Sequence, residues 1–408
     1  MRWVDFWIGI PLCFILTVVA RILRLFSFAG SRDGRPRQIL FIQLAEMGTM
    51  VVAYPALRKA QELFPDATLH FLCFRQIRSS VEMLELIDPD RIITIESRSF
   101  PALVRDSLRF LWLARRRRID TVVNLETFVR YSTLLGYLSG ASTRVGFHRF
   151  NQEGLYTGHL LTHNVLYNPH VHAGQTFLDL VYALAAPADQ VPRVKRPLGS
   201  DRLAVPKIAI DHAVEARVWA ILEQLNPAIS RVHKLVVLNP NASKRFPMRR
   251  LPLESYARLA ARLLEDPNVF VLITGVADEK PDATFISGIV NSPRLLDLTG
   301  RTTMTELLHV FELAQVLVTN DSGPAHFACL THVHVMVFFG PELPDRYRPL
   351  ADSFDVISSS YSCSPCVSPY NQRLTPCNDN LCLKSIDIEA VAERVRGRLH
   401  DVHVSRSA

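Results

Sequence analysis

From residue 38 onward the chain alternates short apolar runs with amphipathic helix patterns, breaks off, and then starts the same alternation again. Apolar runs at residues 39–44, 68–73, 92–95 and 121–125 make the first series, and runs at 235–238, 269–274, 295–297, 316–319 and 333–339 make the second. Such an order calls for a mostly parallel sheet with helices on both faces, because each parallel crossover lays a helix against the sheet. Ligands of these sheets gather at the C-terminal ends of the strands. Between the two series, residues 186–206 are rich in Pro and polar residues and keep neither period, as a linker would. With 408 residues, 48% of them hydrophobic and 21% charged, the chain can fill two cores. The expected organisation is an N-terminal segment at 1–34, an α/β domain at 35–190, a linker at 191–206, a second α/β domain at 207–385, and a C-terminal helix and tail at 386–408.

Residues 6–20 are uncharged and almost wholly apolar, with Arg21, Arg24, Arg32, Arg35 and Arg37 following. Extended to Leu23 with Arg21 snorkelling, the run reaches the length at which a helix can span a bilayer, at its short limit, and lying in the interface is the alternative. The basic cluster follows the apolar run, which is the wrong order for a cleaved signal peptide. By the positive-inside rule it keeps the bulk of the chain in the cytoplasm, at the inner membrane. A net charge of +7 favours anionic partners, including nucleotide phosphates and a membrane surface. Nucleic acid is not expected, since the basic residues are scattered and no zinc-finger or RNP-type signature occurs.

The stretch at 316–330 is strand, polar turn and helix start. Asp321 and Ser322 are N-cap residue types, Gly323 permits close approach to the backbone, and Pro324 suits the first helical turn. Amide groups freed there, with His326 one turn in, suit a phosphate, and an ordinary capped helix is the competing reading. Three more segments share this strand-to-turn character: 38–57, through Glu46, Gly48 and Thr49; 235–247, with Asn241, Ser243, Lys244 and Arg245; and 272–279, with Thr274, Gly275, Asp278 and Glu279. In order and spacing these segments, with Asp297-Leu-Thr-Gly-Arg-Thr302, resemble glycosyltransferase family 9, the heptosyltransferases of lipopolysaccharide core synthesis, from about residue 38 to the C-terminus.

The resemblance implies a GT-B fold: two Rossmann-like, doubly wound domains facing a cleft, the acceptor on the N-terminal one and the donor nucleotide on the C-terminal one. Here an apolar membrane helix precedes them, and the C-terminal helix at 386–399 is expected to pack back across the cleft. It also implies inverting transfer of a sugar, such as heptose from ADP-heptose, to a lipid-linked or core saccharide. A nucleotide-sugar epimerase and a sugar-nucleotide-binding protein without activity are the alternatives. Such a transferase must hold a diphosphate leaving group and take a proton from the acceptor hydroxyl. Lys244 and Arg245, with Asn241 and Ser243, occupy the family's phosphate loop, and Thr274, Gly275 and Glu279 its nucleoside end. The family's first loop ends in Gly-Asp, with that Asp as the proposed base, whereas Gly48 is followed by Thr49. Glu46 is the nearby carboxylate that can take the role, and Asp321 competes for it.

No metal is expected in catalysis. Asp88-Pro-Asp90 spells a metal-dependent transferase motif but sits at a Pro turn, where Asp is a turn former. Cys363, Cys366, Cys377 and Cys382 have spacing from which four thiolates can close a structural zinc site, with packed free thiols and bonded pairs as the other readings.

Overall fold

The computed structural model describes residues 2–26, 35–149, 154–187, 189–242, 246–371 and 373–406. The chain forms two compact units: Met1–Ala204 with Ser368–Arg373, and Val205–Val367 with Leu374–Ala408.

Unit 1 carries strands β1 (Gln38–Ile42), β2 (Thr68–Phe74), β3 (Ile92–Ile95), β4 (Thr121–Asn124), β5 (Thr143–His148) and β6 (His163–Leu166). Its helices are α1 (Arg2–Trp7), α2 (Gly9–Phe26), α3 (Met47–Leu63), α4 (Arg78–Glu82), α5 (Phe100–Arg116), α6 (Arg130–Leu138) and α7 (Ala173–Tyr182). The sheet is parallel, in the order β3-β2-β1-β4-β5-β6, so the direction of winding reverses between β1 and β4. Leu40, Ile42, Leu72, Ile93 and Val122 face one side, where Phe110 and Ala114 of α5 and Leu135 of α6 cover them. These central strands are buried along nearly their whole length, which is why they read as continuous apolar runs.

Unit 2 repeats the scheme with β7 (Lys234–Asn239), β8 (Val269–Ile273), β9 (Leu295–Asp297), β10 (Val316–Asn320), β11 (His334–Phe339) and β12 (Phe354–Ser358). The helices are α8 (His212–Leu225), α9 (Leu253–Leu263), α10 (Lys280–Val290), α11 (Met304–Leu313), α12 (Gly323–Phe327), α13 (Pro344–Tyr347), α14 (Leu381–Lys384) and α15 (Ile388–Arg406). Strand order is β12-β11-β10-β7-β8-β9, again parallel, with the reversal between β7 and β10. Helix α15 was expected to reach across to the other domain. It belongs to unit 2, where Val391, Ala392, Val395 and Leu399 join the core beside α9.

Two further boundaries differ from the expected ones. The linker is not a loose tether: Arg196 pairs with Asp179 at 2.7 Å and Asp201 at 3.3 Å, and Tyr182 donates to Asp201, so the chain stays on unit 1 to Ala204. The second difference is Ser368–Arg373, which returns to unit 1 from the middle of the expected C-terminal domain. Tyr370 stacks on Phe128 with ring centroids 5.8 Å apart, meets Tyr167 edge-on, and donates to the Tyr167 carbonyl. Asp88 is a turn former as expected, accepting the Asp90 amide at 2.9 Å.

The N-terminal helices are likewise docked rather than separate. Cys13, Thr17 and Ala20 lie four and three residues apart on one face of α2 and are buried. A Cβ on Gly158 would come within 2.8 Å of the Thr17 hydroxyl and 2.9 Å of the Cys13 carbonyl, so only glycine admits the helix this close. Asp5 accepts from Arg130 Nη1 at 3.0 Å and from the Tyr131 amide at 3.1 Å. Arg130 is 2% exposed, and removing Asp5 strands its charge. Asp5→Ala is therefore expected to destabilise the protein by about 3 kcal/mol, read from the midpoint of urea unfolding. An unchanged midpoint would mean that α1 contributes nothing to unit 1.

Candidate active site

In unit 1 the C-terminal ends of β1 and β4 are level, Ile42 lying opposite Asn124, and the Leu125 amide donates to the Ile42 carbonyl at 3.0 Å. The loops that leave them, 43–46 and 125–129, therefore emerge side by side where the winding reverses, the place at which such sheets bind ligands. Glu46 ends the first loop as the N-cap of α3, with φ of 75°, a conformation that costs a non-glycine residue of order 1 kcal/mol. Its carboxylate pairs with Arg373 through one oxygen and accepts from the Thr49 hydroxyl through the other at 3.2 Å. Gly48 is buried in the first turn of α3. Thr49 thus acts here as a donor to Glu46.

Glu126 is a candidate site residue that no sequence pattern singles out. One of its oxygens accepts from the Leu44 amide at 2.7 Å, from Gln43 Nε2 at 3.2 Å and from the Ala45 amide at 3.4 Å, which holds the Glu46 loop in place. The other oxygen has no hydrogen-bond partner among the described residues. Burial, followed by the charge of Glu46, pushes the Glu126 carboxyl up to about 7, against the lowering pull of the Leu44 and Ala45 amides and of Arg373. A carboxyl that titrates near neutral pH is suited to take a proton and release it. Its one signal is a carboxylate just past the strand that joins β1 on the far side, and the strand order is needed to find it.

In unit 2 the ends of β7 and β10 are level in the same way, Asn239 opposite Thr319. Asn320 ties the two loops together: its amide donates to the Pro240 carbonyl at 2.9 Å and its oxygen accepts from the Leu251 amide at 2.9 Å. Asn241 accepts from Arg250, and Asn239 bonds Thr274 at the end of β8. A Cβ on Gly275 would meet Glu279 at 2.8 Å and Asn241 at 2.9 Å, so one residue from each of the two loops named from sequence packs against this glycine. Glu279 accepts from the Val276 amide at 2.8 Å, closing its own turn.

The turn at Asp321 is not the ordinary capped helix of the competing reading. Ser322 is the N-cap residue, but its hydroxyl donates to the Asn320 carbonyl and caps nothing. Helix α12, from Gly323, has only five residues, so there is no long dipole behind the turn. Asp321, 4% exposed, is instead paired with Arg249 at 3.1 Å, a residue the sequence did not single out. His326 is buried on the same short helix. Ser243, Lys244 and Arg245 lie outside the described residues.

None of the four cysteines is joined in a disulfide. Cys377 Sγ donates to the Asp379 carbonyl at 3.2 Å and Cys366 Sγ accepts from Thr375 at 3.3 Å. Among the described residues no group of three or more His, Cys, Asp or Glu side chains is arranged to hold a metal ion.

Residues 111–374 match the model of glycosyltransferase family 9 (heptosyltransferase). Lipooligosaccharide heptosyltransferase 2 of Campylobacter jejuni is 25% identical over 183 residues, 44% of this chain and 56% of that one. Lipopolysaccharide heptosyltransferase 2 of Escherichia coli is 26% identical over 113 residues, 27% and 32% of the two chains. The chain thus spans about half the length, or less, of the curated relatives it matches. Among solved structures, E. coli ADP-heptose lps heptosyltransferase II superposes with a TM-score of 0.68 at 19% identity, over 90% of this chain and 99% of that one. A family 9 glycosyl transferase from Veillonella parvula gives 0.66 at 17%, over 92% and 100%. The two parallel-sheet α/β units share the GT-B fold of these heptosyltransferases, and the family's pattern runs through more than half of the sequence: the chain belongs to glycosyltransferase family 9.

Proposed function

We propose that this protein transfers heptose from a nucleotide diphosphate sugar, ADP-heptose by analogy with its relatives, to a saccharide of the lipopolysaccharide or lipooligosaccharide core. The observation that carries this reading is the family match across 111–374, joined to curated relatives that are heptosyltransferases. In the proposed step the acceptor hydroxyl oxygen bonds to the anomeric carbon as the bond from that carbon to the diphosphate breaks, and its electron pair leaves with the nucleotide. The hydroxyl proton goes to a carboxylate of unit 1. Sequence alone favours Glu46 for this; the open oxygen and raised pKa of Glu126 support moving the proton there, with the Glu46–Arg373 pair tuning it.

On the donor side, Lys244 and His326 are assigned to the diphosphate, with Arg249 and Asp321 framing the turn. His326→Ala and Lys244→Ala are each expected to weaken donor binding by about 1.5 to 3 kcal/mol, the range for a hydrogen bond to a charged group, by isothermal titration with ADP-heptose. Unchanged affinity in both variants would remove the phosphate from this turn. Binding without turnover in the unaltered protein would favour a sugar-nucleotide-binding protein that lost its base at Thr49. Both catalytic jobs fall to side chains in this scheme, so EDTA is expected to leave the turnover rate unchanged, and a rate restored only by added metal would overturn that assignment. An acceptor of this class is lipid-linked, and we place the protein at the cytoplasmic face of the inner membrane, held through the N-terminal helices α1 and α2, whose stretch Asp5–Leu23 has the length and apolar composition of a membrane-crossing helix.

A further inference from the structure

Exposed large apolar side chains gather on two helices of unit 1. On α2 the face away from Cys13 and Thr17 shows Leu12, Phe14, Ile15, Val18, Val19 and Ile22. On α5 the exposed row is Phe100, Val104, Leu108 and Trp112, at 64, 43, 62 and 56% exposure. Residues four apart share one helix face, so this row is a continuous ridge about 18 Å long, opposite the face that buries Phe110 and Ala114. A helix that merely faces water carries polar residues there, and an apolar ridge of this size marks an interaction surface.

Its setting names the partner. Arg105, Arg109 and Arg116 are exposed along the ridge, and the Arg116 guanidinium lies 5.0 Å from the centre of the Trp112 ring. The acid of α5, Asp106, is buried, and α2 has no acidic residue, so the charge of both outer faces is positive. Both helices adjoin α6, α5 across the covered sheet face and α2 through Cys13 and Leu134, so the two apolar faces flank one helix. A large apolar face edged with arginines and adjoining a helix of membrane-crossing composition matches the interfacial zone of an anionic bilayer, apolar below and negatively charged above.

We propose that α5 is a second membrane contact: the ridge from Phe100 to Trp112 enters the boundary between headgroups and acyl chains, with Arg105, Arg109 and Arg116 against lipid phosphates, beside α2. This rests on the reading above that unit 1 works at a membrane. Because α2 is docked on unit 1 by one face, it then lies along the surface and brings α5 to the same level.

The test uses the full chain and two kinds of vesicle, phosphatidylcholine alone and phosphatidylcholine mixed with phosphatidylglycerol. The unaltered protein is expected to sediment with the anionic vesicles. Leu108→Glu with Trp112→Glu, and separately Arg109→Glu with Arg116→Glu, are each expected to lower the partition coefficient by roughly tenfold or more, with an unchanged urea midpoint. A chain keeping only Trp112 of its four tryptophans, the others being Phe, is expected to be quenched by brominated lipid. No binding of the unaltered protein to either vesicle would overturn the membrane reading itself. Binding retained in both double variants, with Trp112 unquenched, would overturn the α5 contact alone. Retained binding together with a dimer turned to monomer by the Leu108 and Trp112 changes would give the ridge to a second copy of the chain.

Discussion

Glu126→Gln is expected to lower kcat by roughly 10²- to 10⁴-fold with donor affinity nearly unchanged, because the amide keeps the shape of the side chain and cannot take the acceptor proton. The pH profile separates this from a structural effect. With Glu126 as the base, kcat/KM of the unaltered enzyme rises through an acid limb near the value of about 7 to which burial and Glu46 push the carboxyl. Glu46→Gln removes the neighbouring charge that raises it while Arg373, which lowers it, stays, so the limb should move to lower pH with a smaller loss of rate. If Glu46 is the base, the pattern inverts: Glu46→Gln abolishes the limb and Glu126→Gln leaves it. Stability offers a second readout. The folded pKa of Glu126 lies above its ordinary 4.5, so between about 4.5 and 7 the folded state holds a proton that the unfolded state has released. Stability contributed by that proton is present at low pH and lost as the pH rises through this window. Glu126→Gln should flatten that dependence, and an unchanged slope would place the titrating group elsewhere.

Arg249→Ala is expected to destabilise unit 2 by about 3 to 5 kcal/mol and to weaken donor binding as well. Asp321 is 4% exposed and the Arg249 side chain 16%, so removal of the guanidinium leaves a carboxylate among buried groups without its counter-charge. The Arg249 guanidinium also lies 5.0 Å from the centre of the Phe246 ring, and the truncation removes that cation–π attraction too. Adding Asp321→Asn to Arg249→Ala should recover part of the stability, because the stranded charge is gone, while donor affinity stays low. Full additivity of the two changes in urea unfolding would mean that the pair is not coupled.

The central strands were legible because parallel strands covered on both faces are continuous apolar runs, and residues 92–95 and 295–297 match β3 and β9 to the residue. Strands β5, β6 and β12 were not. β6 has the sequence His-Asn-Val-Leu with one residue of four buried, and β12 buries one of five, as edge strands do; β5 is interrupted by Gly146 and ends in partly exposed residues. The site was half legible for a similar reason. Glu46, Asn241, Gly275 and Asp321 sit in turns next to strands with recognisable chemistry, and Gly48 lies in the first turn of the helix that follows one of them. Glu126 and Arg373 acquire meaning only from folding, the first through the neighbour relation of β1 and β4, the second through a pairing 327 residues apart in sequence.

The return of Ser368–Arg373 to unit 1 limits how this protein can be taken apart. A fragment cut at Ala204 keeps every strand of the first sheet yet lacks Tyr370, which lies on Phe128 and Tyr167, and Arg373, which holds Glu46. Chimeras that exchange the first half for that of a relative would have to carry these six residues along with it. In gene terms unit 1 is encoded in two pieces, and its second piece is inherited with unit 2.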